Sequence, residues 1–158
     1  MGKEVKTNAM RILEKMGIAY DHCAYEADEF TDAAETADRL GLPHECVFKT
    51  LVTVGNDREH YVFVIPIEET LDLKKCAKSV GVKSVSMIPQ KELFALTGYV
   101  RGGCTSIGMK KQFTTRIDEN AILFDKIYVS AGRIGSQLSL NPDDLLRAAN
   151  AEYADLIE

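Results

Sequence analysis

Residues 47–66 read VFKTLVTVGNDREHYVFVIP, two apolar runs on either side of a short polar stretch. β-branched and aromatic residues fill both runs, and Gly55-Asn56-Asp57-Arg58 between them is typical of a turn. The stretch therefore predicts a β-hairpin. A single charge, Lys49, interrupts the first strand, and a lysine there either reaches water at a sheet edge or points into a cleft. In a cleft it would hold an anion or a carbonyl oxygen.

Short helices and strands are predicted on both sides of this hairpin. Apolar periodicity, caps and glycine or proline boundaries predict helices at 7–16, 31–40, 71–80, 89–96 and 141–150, with 151–157 extending the last one. Thr31 is the predicted cap of the second helix, and strands are predicted at 18–25, 83–87, 112–117, 121–124, 127–130 and 137–140. Regular βαβ alternation is missing. We therefore expect a single α+β domain over residues 1–158, with a mixed, mostly antiparallel sheet or a partly closed barrel and helices packed outside.

The overall composition is that of a globular protein. The chain has 158 residues, of which 46% are hydrophobic and 27% charged, and no apolar run approaches the roughly 20 residues needed to span a bilayer. The first ten residues lack the apolar core of a signal peptide, so we expect a cytoplasmic protein with no membrane association. No two of the four cysteines stand in a Cys-x-x-Cys spacing, which argues against a zinc or dithiol site. We expect neither a metal nor a cofactor.

Charge is distributed unevenly along the chain, whose formal net charge is −5. Residues 1–47 hold 5 Lys and Arg against 10 Asp and Glu, residues 48–116 hold 11 against 6, and residues 117–158 hold 3 against 8. The middle segment is therefore basic inside an acidic protein. That pattern is typical of a local face for a phosphate or a nucleic-acid end, although a chance cluster of solvated lysines would also produce it.

A glycine-rich segment at 98–108, GYVRGGCTSIG, is the second candidate for a binding site. The paired Gly102 and Gly103 would let backbone N–H groups approach an anion closely, but the spacing matches neither a phosphate-binding P-loop nor a dinucleotide fingerprint. An ordinary tight loop is the alternative. Cys104 is a candidate nucleophile here, yet none of the three histidines lies in a context that would make it the base.

A second glycine turn, SAGRIGSQ at 130–137, is the third candidate. Ser130 and Arg133 beside glycines at a strand end could contact a ribose or a phosphate, unless the segment is only a turn. Two aromatic residues, Tyr20 and Phe30, could form apolar or stacking walls of a pocket or belong to the core.

Taken together, these segments resemble the YbaK/EbsC family of aminoacyl-tRNA deacylases. VFKTLV at 47–52 is similar to the family's VFKTL strand, GYVRGGCTSIGMKK at 98–111 to its GYVRGGCSPIGMKK loop, and SAGRIG at 130–135 to its SGGRRG turn. Shorter matches at 6–9, 13, 18–20 and 140–145 extend the resemblance over nearly the whole chain. The family resembles the editing insertion of bacterial prolyl-tRNA synthetases, so the resemblance implies a free-standing trans-editing domain.

The resemblance also implies a role for each motif residue. Lys49 would anchor the substrate near its 3′-terminal adenosine and phosphate, and the backbone of Gly102 and Gly103 would contact the scissile ester. The other implied substrate contacts divide between the aminoacyl pocket and the acceptor end of the tRNA: Tyr20, Phe30, Thr50, Arg101, Ser130, Arg133 and Gln137. Two departures from the family pattern matter. Gln137 stands where many members have Asp, and Thr105-Ser106, which should loosen the loop, replaces Ser-Pro.

The implied reaction is the deacylation of mischarged tRNA, with Cys-tRNA(Pro) as the leading substrate. In the route proposed for the family, the thiol of the cysteine attacks its own ester carbonyl, so the enzyme supplies proximity and oxyanion stabilisation. The alternatives are a deacylase with another preference, such as Ala-tRNA(Pro), a thiol enzyme that uses Cys104, and a non-catalytic tRNA- or synthetase-binding module. The expected partners are the tRNA acceptor end and, as a candidate in a ternary complex, prolyl-tRNA synthetase.

Overall fold

Eight strands and five α-helices make up the described part of the chain, residues 6–26 and 32–158 of a computed structural model. The strands are β1 Asp21–Ala24, β2 Phe48–Gly55, β3 His60–Pro66, β4 Val85–Met87, β5 Thr114–Asp118, β6 Ile127–Ser130, β7 Ser136–Leu140 and β8 Ala151–Ala154. The helices are α1 Asn8–Lys15, α2 Ala33–Leu40, α3 Leu73–Val80, α4 Leu93–Thr97 and α5 Pro142–Ala149, with 3₁₀ helices at His44–Cys46, Gln90–Glu92 and Glu119–Leu123. Phe30 and Thr31 lie outside the described residues.

The predicted hairpin is confirmed and forms the centre of the larger of two sheets. β2 and β3 pair antiparallel, with Thr50 opposite Val64. β4 extends this sheet on the β2 side, and β5 and β8 extend it by parallel pairs on the β3 side, which gives the order β4-β2-β3-β5-β8. The smaller sheet is antiparallel, in the order β1-β7-β6. A bridge between Val47 and Tyr128 joins the two sheets at one corner, and the described strands do not close into a barrel.

Helices cover both faces of the larger sheet. The largest buried cluster lies against one face and combines side chains of α1, α5 and both sheets, including Leu13, Val64, Leu138 and Leu145. A second cluster places Cys76 of α3 against side chains of β3 on the other face. Burial of these apolar side chains stabilises the fold at about 25 cal/mol for each Å² removed from water.

The caps of α1, α3 and α5 follow the local sequence. Thr7, Asp72 and Asn141 each accept a hydrogen bond from a backbone N–H in the first turn of their helix. Such a cap stabilises a helix by about 1 kcal/mol relative to alanine. The second helix begins later than predicted, because the Asp32 carboxylate accepts from Glu35 N at 2.8 Å. The prediction of Thr31 as its cap is therefore wrong.

Two other local predictions are wrong for reasons that lie outside the local apolar pattern. The strand expected at 121–124 is part of a 3₁₀ helix, since the Asp118 carboxylate accepts from Asn120 N at 3.1 Å and caps it. The helical extension expected at 151–157 is instead β8 with a short tail, because Asn150 ends α5 in the left-handed conformation (φ 52°) and β8 pairs with β5. No helix of the described residues is long and apolar enough to cross a membrane.

Candidate functional site

A cleft of about 560 Å³ lies where β2 runs past the end of β4. β4 pairs only with Thr53–Gly55, and Ile88 N donates to Val52 O at 3.3 Å just beyond that pairing. Across Phe48–Leu51, none of the strands within the described ranges forms a ladder with this second edge of β2, although the Val47–Tyr128 bridge brings β6 close to its start. The other walls come from the start of α2, the segment after β4, the 98–108 loop and the facing ends of β6 and β7.

Six of the ten predicted site residues line this cleft. They come from three segments that are distant in sequence, and they are Lys49, Thr50, Arg101, Gly102, Ser130 and Gln137. The fold therefore brings the three motifs together around one space. The cleft contact itself does not assign a role to any of these residues.

Lys49 is the cation of the β2 edge. It is partly buried, and desolvation lowers the pKa of its ammonium, while the charge of Glu69 acts in the opposite direction. Neither a hydrogen bond nor a salt bridge links Lys49 to any residue in the described parts of the chain. Its charge is therefore available to a ligand in the cleft, where low dielectric strengthens the interaction.

The two glycine segments pack directly on each other behind the cleft wall. A Cβ atom on Gly103 would lie 2.9 Å from both the backbone carbonyl carbon and Cα of Arg133, closer than any real Cβ contact. Gly102, which lines the cleft, has φ 87°, a conformation that favours glycine. The paired glycines thus permit a close loop-to-loop contact as well as an approach to ligand.

The 98–108 loop is held at both ends by buried hydrogen bonds. The hydroxyl of the buried Tyr99 donates to Ile107 O. Thr105 and Ser106, from which a looser loop is expected, are both buried, and Thr105 Oγ1 accepts from Ile107 N at 3.4 Å. These contacts hold the two ends of the loop together beside the cleft. The looser loop stays a prediction.

Ser130 and Gln137 face each other across the β6–β7 pair. Ser130 Oγ accepts a hydrogen bond from Gly132 N at 3.1 Å. Gln137 is 6% exposed, and its Oε1 has no hydrogen-bond partner among the described residues. An unpaired buried acceptor costs free energy, so a donor from a bound ligand would stabilise it.

Cys104 also lines the cleft, but as a buried thiol. Burial raises its pKa to about 12, so the thiolate needed for nucleophilic attack is scarce near neutral pH. None of the three histidines is among the lining residues. His22 Nε2 instead lies 2.6 Å from Ser136 Oγ, and His44 binds Asp38 and Glu68. This arrangement argues against the thiol-enzyme alternative.

Three of the remaining predicted residues lie outside the lining of the cleft. The Tyr20 hydroxyl donates to Glu14, and its ring packs on the main core rather than in the cleft wall. Arg133 and Gly103 stand behind the lining residues, at the loop-to-loop contact. Phe30 falls in the undescribed range. The roles predicted for these four residues stay predictions.

Sequence reasoning missed part of the cleft wall. Asp32, Met87, Gln90 and Leu93 line it together with the motif residues. Asp32 falls inside the helix predicted at 31–40, and the other three lie at the end of β4 or just after it, a strand too short to be placed with its neighbours in advance. In residues 6–26 and 32–158, no group of three or more His, Cys, Asp or Glu side chains could hold a metal ion.

Known proteins share both the sequence and the fold of this chain. A family model described as an aminoacyl-tRNA editing domain matches residues 27–148. The chain belongs to the aminoacyl-tRNA editing family. A relative of this editing domain in Enterococcus faecalis (strain ATCC 700802 / V583), provisionally named Cys-tRNA(Pro)/Cys-tRNA(Cys) deacylase EbsC, is 45% identical over 152 residues. The match covers 96% of this chain and 93% of that protein.

Two solved structures have the same fold as this editing domain. One, described as a provisional trans-editing enzyme for prolyl tRNA synthetase, has a TM-score of 0.83 at 26% identity and covers 98% of this chain and 99% of that one. The other, a hypothetical protein, has a TM-score of 0.85 at 25% identity, and the match covers 96% of this chain and 100% of that one. With the family model, these relatives identify the editing domain as a trans-editing aminoacyl-tRNA deacylase, whose substrate is a tRNA-linked ester.

Proposed function

We propose that this editing domain removes cysteine from mischarged tRNA(Pro) in the cytoplasm. The observation that carries the proposal is the ammonium of Lys49, which lies in the cleft wall without a hydrogen-bonded or salt-bridged partner among the described residues. The 3′ end of a tRNA brings phosphate charge, and its ester carbonyl becomes an oxyanion during deacylation. The provisional name of the Enterococcus relative supports cysteine as the amino acid.

In this proposal, different walls of the cleft hold different parts of the substrate. Lys49 anchors the terminal adenosine through its phosphate, and Arg101 adds a second charge on the loop side. Ser130 and Gln137 hold the acceptor end, and Gln137 Oε1 receives the donor it lacks. Thr50, on the opposite face of β2 from Lys49, shapes the aminoacyl pocket, and the Gly102 backbone meets the ester. Cleft contact by all of these residues supports the assignment.

The chemical step we propose uses the thiol of the substrate itself. Its sulfur attacks the ester carbonyl carbon, a C–S bond forms, and the C–O bond to the ribose breaks. The thiol proton ends on the released ribose hydroxyl, so the products are a cysteine thiolactone, which water later opens, and free tRNA. The enzyme contributes orientation, worth several kcal/mol in favourable cases, and stabilisation of the oxyanion.

Selectivity follows from the same step. Alanine and proline have no thiol and cannot cyclise, whereas a pocket alone separates such small side chains by only about 1–3 kcal/mol. A deacylase that prefers alanine would instead need a water molecule as nucleophile. Asp32, a carboxylate of the cleft wall, is the group that could take its proton.

The test is a panel of tRNA(Pro) charged separately with cysteine, alanine, serine and proline. We expect cleavage of the cysteine ester alone, and loss of about 10²- to 10³-fold in kcat/KM for Lys49→Ala, the usual cost of removing an oxyanion or anchoring donor. Lys15→Ala, an exposed lysine at the end of α1, is the matched control and should keep full activity.

The variant Asp32→Asn distinguishes attack by the substrate thiol from attack by water. Asparagine caps a helix as well as aspartate does, so α2 should stay intact while the carboxylate is removed. Unchanged cysteine release supports attack by the substrate thiol. Cleavage of alanine esters that depends on Asp32 would replace this route with attack by water.

We also propose prolyl-tRNA synthetase as a partner that supplies tRNA selection. The editing family supports tRNA as the substrate, and the solved relative is described as acting for that synthetase. Adding the synthetase should increase the preference for Cys-tRNA(Pro) over the same amino acid on other tRNAs. An unchanged preference, with no complex by analytical ultracentrifugation, would remove it as a partner.

A further inference from the structure

Three large apolar side chains beside the cleft are exposed to solvent. Met87 lines the cleft and is 48% exposed. Phe94 is 58% exposed and directly follows the lining residue Leu93. Val100 is 46% exposed and directly precedes the lining residue Arg101. Adjacent Cα atoms are about 3.8 Å apart, so the backbone of Phe94 and that of Val100 lie next to the same cleft that Met87 lines. Folding gains little from leaving a phenyl ring in water.

Basic groups lie beside these three side chains, which we call the rim. Lys110 Nζ lies 5.2 Å from the centroid of the Phe94 ring, a cation–π distance. The stem of Lys110 packs near Gly98, and its backbone N–H donates to Thr97 O at 3.0 Å, which holds it beside α4. Arg101 Nη1 donates to Gln90 Oε1 at 3.2 Å.

The sign of the rim charge favours a polyanion. Residues 87–111 contain the bases Lys91, Arg101, Lys110 and Lys111 and one acid, Glu92. A protein partner would call for a larger apolar patch, because specific protein interfaces bury about 800 Å² on each side. Exposed aromatic rings interleaved with basic side chains are typical of surfaces that bind single-stranded nucleic acid.

We propose that Phe94 is a stacking platform for an unpaired nucleotide just upstream of the aminoacylated adenosine. The strand leaves the cleft over the Met87 and Val100 rim, its base stacks on the open face of Phe94, and Lys110 pairs with the neighbouring phosphate. The proposal rests on the proposed function, because it needs the aminoacyl end of a tRNA in the cleft. It adds a binding subsite outside the aminoacyl pocket.

The variants Phe94→Leu, Phe94→Ala and Phe94→Trp test the platform. Loss of one base–aromatic stack should weaken binding of uncharged tRNA(Pro) by about 5- to 140-fold in the leucine and alanine variants. The chain contains no tryptophan, so Phe94→Trp places a single tryptophan on the platform, which can be excited apart from the six tyrosines. Its fluorescence should be quenched by uncharged tRNA and by a short single-stranded RNA, with near-normal affinity. Leu123→Ala, at a residue 76% exposed and absent from the cleft wall, is the matched control.

Kinetics distinguish a platform from a folding defect and from failure of the proposed function. On Cys-tRNA(Pro), Phe94→Ala should raise KM with little change in kcat, and on cysteinyl-adenosine, which has no upstream nucleotide, it should match the unmodified protein. Equal losses on both substrates, or unchanged RNA affinity, would overturn the platform. Weakened binding of prolyl-tRNA synthetase with normal RNA binding would also overturn it, in favour of a protein contact. If the unmodified protein cleaves no ester, the proposed function fails, while RNA quenching still decides the platform.

Discussion

Because the ammonium of Lys49 is partly buried, a rise in pH should change the stability and the activity of the protein in opposite directions. Burial lowers its pKa, so the folded protein releases this proton at a lower pH than the unfolded chain does. The free energy of unfolding therefore rises with pH across the interval between the two pKa values. Deprotonation also removes the anchoring charge, so kcat/KM should fall as the pH rises through the folded-state pKa.

Lys49→Arg and Lys49→Met test this coupling. Arginine stays charged at all accessible pH values, so any activity it retains should lose the alkaline limb of the pH profile. Methionine should lose as much kcat/KM as Lys49→Ala does, yet be at least as stable as the unmodified protein in urea titrations near neutral pH. A Lys49→Met protein that is clearly less stable would mean that the lysine has a structural partner.

Gln137 gives a second prediction at the scale of one residue. Because Oε1 lacks a partner among the described residues, Gln137→Leu should keep the free energy of unfolding or raise it by about 1 kcal/mol. The same change should raise KM for Cys-tRNA(Pro), since the ligand loses its acceptor. A stability loss above about 1 kcal/mol would contradict the view that this acceptor is kept for a ligand.

At the scale of elements, the contact between the two glycine segments controls the shape of the cleft wall. Gly103→Ala would put a Cβ against the Arg133 backbone, which cannot move aside as a flexible side chain can. We expect a loss of about 1–3 kcal/mol in stability, typical of overpacking, and at least a tenfold loss of kcat/KM. Gly41→Ala is the control: its left-handed φ of 69° costs stability in open space, and Gly41 is not among the residues that line the cleft, so activity should persist. Equal activity losses in both variants would contradict the loop-contact explanation.

The elements also show what the sequence could predict. The hairpin at 47–66 is readable because its apolar strands and its turn are contiguous. The 3₁₀ helix after β5 depends on a carboxylate at Asp118, and β8 depends on pairing with a strand more than thirty residues earlier, so the local pattern of 121–124 and 151–157 misleads. The cleft is predictable to a similar extent. The glycine motifs predict two of its walls, whereas Gln90 and Leu93 reach it only through the three-dimensional fold.

At the scale of the whole molecule, two groups of lysines from the basic middle segment lie in different places, on α3 and just after the 98–108 loop. We expect only the second group to bind tRNA. Lys75 on α3 is already paired with Asp155, at 3.0 Å, and no described residue of α3 lines the cleft. Lys110 and Lys111 instead follow the loop that forms one wall. Lys110→Ala and Lys111→Ala should each weaken tRNA binding and reduce the slope of log K against log salt by about 1. Lys74→Ala and Lys78→Ala are matched controls, and an equal effect from them would spread the footprint over α3.

The edge of β2 that forms no ladder across Phe48–Leu51 has a second consequence. Unpaired backbone groups along a strand invite another strand to add, and proteins commonly guard such edges with an inward-pointing charge, often a lysine. Lys49 stands on this edge, so the residue proposed to hold the substrate also discourages self-association when the cleft is empty. Without RNA and without the Lys49 charge, the concentrated protein should aggregate through β2. Excess uncharged tRNA should delay that aggregation.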